Sequence, residues 1–341
     1  MKLWADLVTP LELSEVARMT VEERERQRIS LAAWLPNATV DDLNVRLETA
    51  ANGLVETAEF RAYDAETPIG AAPGGKRVTI ELPALGQKLR VSEYDQLRMR
   101  SAKSDKFKQS VGERAKQVSA AVADRMELLR GEVLVSGKAV IKENQFIAEA
   151  DFGRDSDLTI TVANMWDKPD AATPLSDLQS AVEKYVAKNG VNPGKLVMSR
   201  KAVSTLLRVD EIRKTATGNT PSMVTIDYVK TLFESFGLPE IEIYDRMVRQ
   251  NGKSVRVIDE KVALILPPPA SEVDNDLGKT FWGTTLEASD PRFGIAEDDR
   301  PGIVAGAYKD DDPMGVWVKA AAIGMPVLAN ANLAAALTVL S

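Results

Sequence analysis

Residues 70–78, GAAPGGKRV, set a glycine-rich turn beside a lysine, the ingredients of a loop that cradles phosphate. The spacing does not match one. A phosphate loop requires G-x-x-x-x-G-K-[ST] after a strand and at the start of a helix, whereas Lys76 is followed by Arg77 and the stretch leads into a strand. It reads as a turn. AEDDRP (296–301) and KDDDPMG (309–315) offer oxygen ligands of the kind Ca²⁺ or Mg²⁺ takes, but neither has EF-hand spacing, and both read as acidic surface loops. The 50 Asp and Glu allow many carboxylate pairs, and nothing in the sequence singles one out for hydrolysis.

The chain of 341 residues contains no His and no Cys. That excludes disulfides, thiol nucleophiles, Cys/His zinc sites, Ser–His relays and any His general base. Catalysis would have to rest on Asp, Glu, Lys or Tyr. No cofactor or metal is expected. The net charge of −7 argues against bulk attraction to nucleic acid. No apolar run reaches membrane-spanning length, and Met1-Lys2 leads into a broken apolar stretch without a cleavage pattern, so neither a membrane partner nor a signal peptide is expected.

Charge is unevenly spread. Residues 88–130 carry eleven Lys/Arg against six Asp/Glu, and residues 259–312 carry thirteen Asp/Glu against five Lys/Arg. The basic segment has only Tyr94 and Phe107 as aromatics, too few for single-strand stacking. Its charges are expected to meet the acidic region, within the chain or on a neighbour. The five Trp (4, 34, 166, 282, 317) are dispersed and read as core or interface anchors.

These residues must be positioned by a definite succession of elements. Residues 1–51 are charged and helical in tendency and read as an arm, or equally as a solvated helix packed on its own domain. Residues 52–91 read as a long β-hairpin with a Gly/Pro tip, in which Val78, Ile80 and Leu82 alternate with polar residues. A lone hairpin is marginal in water, and no partner for its apolar face is evident in the chain, so a surface outside the chain is expected to cover it. From Ser92, with Asp95 completing a capping box, a long helix runs to about residue 135. Val111, Ala115, Val118, Val122, Met126, Leu129 and Val133 form one stripe along it. A strand pair turning near Glu143 follows, then an α/β section with Thr173-Pro174 opening a helix that Gly190 closes, a hairpin at Asn251-Gly252, and apolar strands to the end.

This order resembles the major capsid proteins of tailed bacteriophages, and within them the lambda-type major capsid protein E family. The resemblance is carried by RMELLRGEVLVSGKAVIKENQFIAEADFGR (125–154), ITVANMWDKPDAATPLSDLQSAV (160–182), KLVMSRKAVSTLL (195–207) and MPVLANANLAAALTVLS (325–341). It implies an α+β tailed-phage major capsid fold. The N-terminal arm would be 1–51 and the extended β-hairpin loop 52–91. The peripheral domain with its long spine helix would be 92–171 and 279–325, and the α/β axial domain 172–278 and 326–341. It further implies a protein that is not an enzyme and that assembles with itself into the hexamers and pentamers of an icosahedral head. Partners would be a separate scaffolding protein, a portal and a possible decoration protein. Double-stranded DNA would be enclosed without sequence-specific binding, in a virion made in the bacterial host cytoplasm. The residues expected at the assembly interface are Phe60, Tyr63, Val78, Ile80 and Leu82 on the hairpin and Val111, Val118, Val122 and Met126 on the helix. Two alternatives stand beside this reading: an encapsulin-type compartment shell, and a cytosolic α/β enzyme working through carboxylates or Lys.

Overall fold

A computed structural model describes residues 8–341, apart from 28, 50–60, 62, 64–65, 67–75, 100–103, 144–145, 218–223, 272–275, 298–299 and 313. The amino-terminal part comprises α1 (Pro10–Gln27), β1 (Asn37–Thr39), β2 (Asn44–Thr49), β3 (Lys76–Glu81), β4 (Ala84–Val91), α2 (Glu93–Met99) and α3 (Ser104–Ser136). The strand pair β5 (Lys138–Glu143) and β6 (Phe146–Asp151) and the short β7 (Thr159–Thr161) lead into a section of α4 (Pro174–Asn189), β8 (Lys195–Met198), α5 (Arg200–Leu206), α6 (Asp210–Thr217), α7 (Ile226–Ser235), β9 (Glu240–Ile243), β10 (Met247–Gln250), β11 (Lys253–Arg256) and β12 (Val262–Leu266). The chain then returns through β13 (Gly278–Gly283), α8 (Leu286–Ser289), β14 (Val304–Asp311) and β15 (Met314–Leu328), and closes with β16 (Ala335–Thr338).

Two five-stranded sheets organise the described residues. In one, the long β15 pairs antiparallel with β4, β13 and β14, and β1 adds in parallel to β13. In the other the order is β7-β16-β12-β8-β9. Its central strand, Val-Ala-Leu-Ile-Leu, is buried at every position, which is why it reads as a continuous apolar run and not as an alternation. Helix α4 opens with Pro174 and ends at Gly190, whose φ of 71° makes it a left-handed cap. Asn251 and Gly252, at φ 50° and 77°, form the tight turn between β10 and β11. The strand opposite β11 is β10, and β9 pairs in parallel with β8.

Helix α3 joins two apolar cores. Its 33 residues span ~50 Å at 1.5 Å each. Val111, Ala115, Val118, Val122 and Met126 pack with Val91, Val316, Val318, Ala320 and Ala322 beneath the first sheet. One turn further on, Leu128, Leu129, Val133 and Leu134 belong to the core around the second sheet. At Gly131 a Cβ would lie 2.4 Å from the Val257 carbonyl oxygen, so only glycine lets the helix approach the loop after β11 so closely.

Two expectations change here. Helix α1 opens with a reciprocal cap between Thr9 and Glu12, and Leu13, Ala17 and Val21 bury it in the first core. Of the two readings left open for this segment, the structure selects the helix packed on its own chain. Ser14 also closes the edge of β14, its hydroxyl donating to the Ala305 carbonyl at 3.0 Å and accepting from the Ala305 N–H at 3.2 Å. The hairpin differs as well. The partner of β3 is β2, in the register Val45↔Ile80, and β4 belongs to the first sheet and not to the hairpin. The loop joining β2 to β3 lies largely outside the described residues.

Candidate functional site: the assembly surface and the buried junction

The residues expected at the assembly interface fall into three groups. Ile80 and Leu82 are 6% and 4% exposed and share a core with Val45. Val111, Val118, Val122 and Met126 are covered by the first sheet and α1. Tyr63 is fully exposed. Phe60 and the side chain of Val78 lie outside the described residues. The expectation that Ile80, Leu82 and the helix stripe face a neighbour is therefore corrected: the chain covers them itself. Ile80 enters that core together with its cross-strand neighbour Val45, which lies in a short strand whose flanking Asn44, Arg46 and Glu48 make it read as part of a charged arm. One consequence is testable. Ile80→Asp places a carboxylate in an apolar core and is expected to destabilise the folded chain by about 3 kcal/mol or more, measured by chemical denaturation. A variant as stable as the parent would show that the root of the ribbon is not part of the core.

The least apolar part of the interior lies where α3 passes from one core to the other. Glu127 and Arg130 are both 1% exposed. Each Glu127 oxygen is saturated. Oε1 accepts from the Leu31 N–H at 2.8 Å and the Tyr244 hydroxyl at 2.7 Å, with Arg246 Nη1 at 3.3 Å. Oε2 accepts from the Ser30 hydroxyl at 2.8 Å and Arg130 Nη1 at 3.1 Å. Arg130 continues the network to Glu25 at 2.8 Å, Asn37 at 2.6 Å and the Thr280 hydroxyl at 2.9 Å. Arg246 also reaches Asp124 at 3.2 Å, which Arg24 meets at 2.5 Å. One knot thus ties α1, the turn at Ser30-Leu31, the spine helix, the β9–β10 turn and β13. Burial by itself would raise the Glu127 pKa, but Arg130, Arg246, the Leu31 N–H and Tyr244 outweigh it and hold the carboxyl below its usual range. Burial, the Glu127 charge and the hydrogen bond to it push the Tyr244 phenol up, so it stays protonated and donates.

A second clamp sits at the end of the helix. In the stretch DFGR, Asp151 accepts from the Gly153 N–H at 2.9 Å, Phe152 is buried, and Gly153 adopts φ 73°. This turn delivers Arg154 beneath the C-terminus of α3. Its guanidinium donates to the carbonyls of Leu134 at 2.8 Å, Val135, and Ala334 at 3.2 Å, the last of these just before β16. A cation there satisfies carbonyls that have no partner within the helix and complements its dipole. Burial pushes the Arg154 pKa down to about 10, which leaves it charged at neutral pH.

These groups hold structure and present no reacting atom: every Glu127 lone pair directed into the junction has a donor. Among the described residues no group of three or more acidic side chains could hold a metal ion. In KDDDPMG, Asp310 accepts from the Trp317 indole at 2.9 Å and Lys309 pairs with Asp311 at 2.6 Å. Of the basic side chains in 88–130, Arg125 pairs with Glu143, and Arg130 with Glu25 and Glu127. The segment meets the 259–312 region through the hydrogen bond from Arg130 to Thr280, and through the charge of Arg90, which adds to the Trp317 hydrogen bond in lowering the pKa of Asp310. Neither Glu127 nor Arg246 was legible as a junction residue. The available signal was a charged pair, Glu127 and Arg130, three residues apart inside the apolar run MELLRGEVLV.

No helix among the described residues is long and apolar enough to cross a membrane. No curated protein matches the chain in sequence. Two solved structures share its fold. A protein assigned as the capsid protein of a prophage of E. coli CFT073 superposes with a TM-score of 0.62 at 13% identity, covering 96% of this chain and 98% of its own. A phage-related protein from Bordetella bronchiseptica RB50 gives 0.59 at 15% identity, covering 94% and 96%. The mixed helix-and-sheet architecture is thus the tailed-phage major capsid fold. The sequence profile of phage major capsid protein E matches residues 34–339. That range holds both sheets, the whole spine helix, the Arg154 clamp and Glu127, Arg130 and Arg246 of the junction, and the chain accordingly belongs to the phage major capsid protein E family, as a protein of the capsid shell.

Proposed function

We propose that copies of this chain associate into hexamers and pentamers that close an icosahedral head around double-stranded DNA. A separate scaffolding protein, a portal and possible decoration proteins are its partners, and synthesis takes place in the bacterial host cytoplasm. The observation that carries this reading is the family match over residues 34–339. It favours a phage head over an encapsulin-type compartment, and a structural role without catalysis over a carboxylate-dependent enzyme. A division of labour follows for the parts of the chain. The first sheet with α1 and the N-terminal half of α3 forms the peripheral part, the second sheet with α4–α7 the axial part, and the β2–β3 ribbon reaches toward a neighbour. Phe60, Tyr63 and Val78 remain the hairpin residues proposed for contact there; Tyr63 exposes its whole side chain.

The test is expression alone and with a candidate scaffolding protein, followed by electron microscopy. Closed shells are expected, and only small particles under both conditions would overturn the proposal. Removing residues 66–75, or Tyr63→Asp, is expected to leave the melting temperature unchanged and lower shell yield by about tenfold or more, the effect of losing an aromatic anchor from a repeated contact. Wild-type yield from both variants would remove the ribbon from the interface.

A further inference from the structure

The chain contains three Asn-Gly pairs, at 52–53, 189–190 and 251–252. In such a pair the side-chain amide carbon lies within reach of the next backbone nitrogen, and glycine puts no Cβ in the way. Ring closure needs two groups at liberty: the amide, which must turn toward the backbone, and the glycine N–H, which must give up its proton. The first pair lies outside the described residues. The other two differ in both respects. Asn189 ends α4 and is 4% exposed. Its Nδ2 donates to the carbonyls of Tyr185 and Asn332, each at 2.9 Å, and the Gly190 N–H donates to the Val186 carbonyl at 2.7 Å. Asn251 and Gly252 are exposed at the turn between β10 and β11. Neither the Asn251 side chain nor the Gly252 N–H has a hydrogen bond among the described residues. The turn must loosen for the amide to reach the nitrogen, and little resists that. Strands β10 and β11 pair with no other strand among the described residues, and the tip is held by the last pair, Gln250↔Lys253.

We infer that Asn251 is a site at which the chain modifies itself, with water as the only co-reactant. The Gly252 nitrogen loses its proton and attacks Cγ of Asn251. The new C–N bond closes a succinimide ring, the Cγ–Nδ2 bond breaks, and Nδ2 leaves as ammonia with that proton. Water then adds to either ring carbonyl and opens the ring, giving aspartate or isoaspartate, and nothing is oxidised or reduced. Both products place a carboxylate in the segment 246–256, RMVRQNGKSVR, which has four basic residues and no acidic one. Isoaspartate also adds a methylene to the main chain inside a two-residue turn, and turn length sets strand register. The register here pairs Val255 with Val248, which is 6% exposed. Reaction at this one turn therefore changes both the charge of the hairpin and the fit of its strands, while the same dipeptide at the end of α4 is preserved by its hydrogen bonds.

The test incubates the full chain at mildly alkaline pH, folded and in denaturant, and follows the exchange of ammonia for water at each site by peptide mapping and mass spectrometry. In the folded chain Asn251 is expected to convert about tenfold or more faster than Asn189, because opening a hairpin tip costs far less than opening a buried helix end. In denaturant the two sites should convert at similar rates. Equal rates in the folded chain, or an Asn251 that stays intact while the denatured chain converts, would overturn the inference. Asn251→Gly tolerates the positive φ and lacks the amide, so an unchanged melting temperature and no conversion in that peptide are expected. Conversion that persists in this variant would place the reaction at another residue. Hydrogen exchange separates the two products. Amides of 247–256 should exchange faster in the isoaspartate form than in Asn251→Asp, and equal exchange would overturn the effect assigned to the added methylene.

Discussion

Glu127→Ala is expected to lower the free energy of unfolding by about 3–5 kcal/mol, the cost of removing one partner from a buried charge network. The lost carboxylate leaves Arg130 with Glu25 and Arg246 with Asp124 as counter-charges on the outer sides of the junction and none between the two arginines, and strips the Leu31 N–H, the Ser30 hydroxyl and the Tyr244 hydroxyl of their acceptor. None of these groups can reach water without opening the junction between the two cores. Equilibrium denaturation of the unassembled chain measures the effect, and hydrogen exchange should localise it to residues 29–35 and 244–248. A cost below about 1 kcal/mol would mean that the arginines find other partners and that the knot is dispensable. The same geometry predicts an acid response. Because the folded pKa of Glu127 lies below its ordinary value of 4.5, its contribution is complete above that value and is lost as pH falls through the lower, folded one. Melting curves recorded below pH 4.5 should therefore fall more steeply for wild type than for Glu127→Gln, which has no carboxylate to protonate.

Arg154→Ala is expected to cost about 2–4 kcal/mol, since it removes charge-assisted hydrogen bonds to three carbonyls at once. Leu134 and Val135 lie in the last turn of α3, where no N–H of the helix is available to them. Ala334 lies on the far side of the junction, so the loss also loosens the second sheet from the spine helix. Arg154→Lys is the sharper variant. It keeps the charge but cannot bridge three carbonyls with one planar group, and it should recover less than half of the loss. Full recovery would show that charge near the helix end is what matters, and that the fork geometry does not.

Much of this architecture is local and was therefore legible. The stripe Val111–Val133 repeats with the helical period and is buried at each position. Thr173-Pro174 and Gly190 bound α4, the Asn251-Gly252 turn needs two positive φ angles, and VALIL is apolar throughout because both faces of β12 are covered. Each of these follows from backbone sterics or from burial acting within one segment. The absence of His and Cys likewise removed whole classes of chemistry without any coordinates. What covers each apolar face was decided elsewhere. Ile80 finds Val45 across a connection of more than 25 residues, and Val111–Met126 find β15, about 200 positions further along the chain. Glu127 meets Tyr244 at a sequence separation of 117, and Arg154 meets Ala334 at 180. Period and turn chemistry state that a face will be buried, because that depends on neighbours a few residues away. They do not state by what, because pairing over such distances is settled by which faces fit when the whole chain closes. The apolar face of β3, which in the sequence had no cover within the chain, has one. The contact proposed with another copy rests instead on Tyr63, whose side chain is exposed.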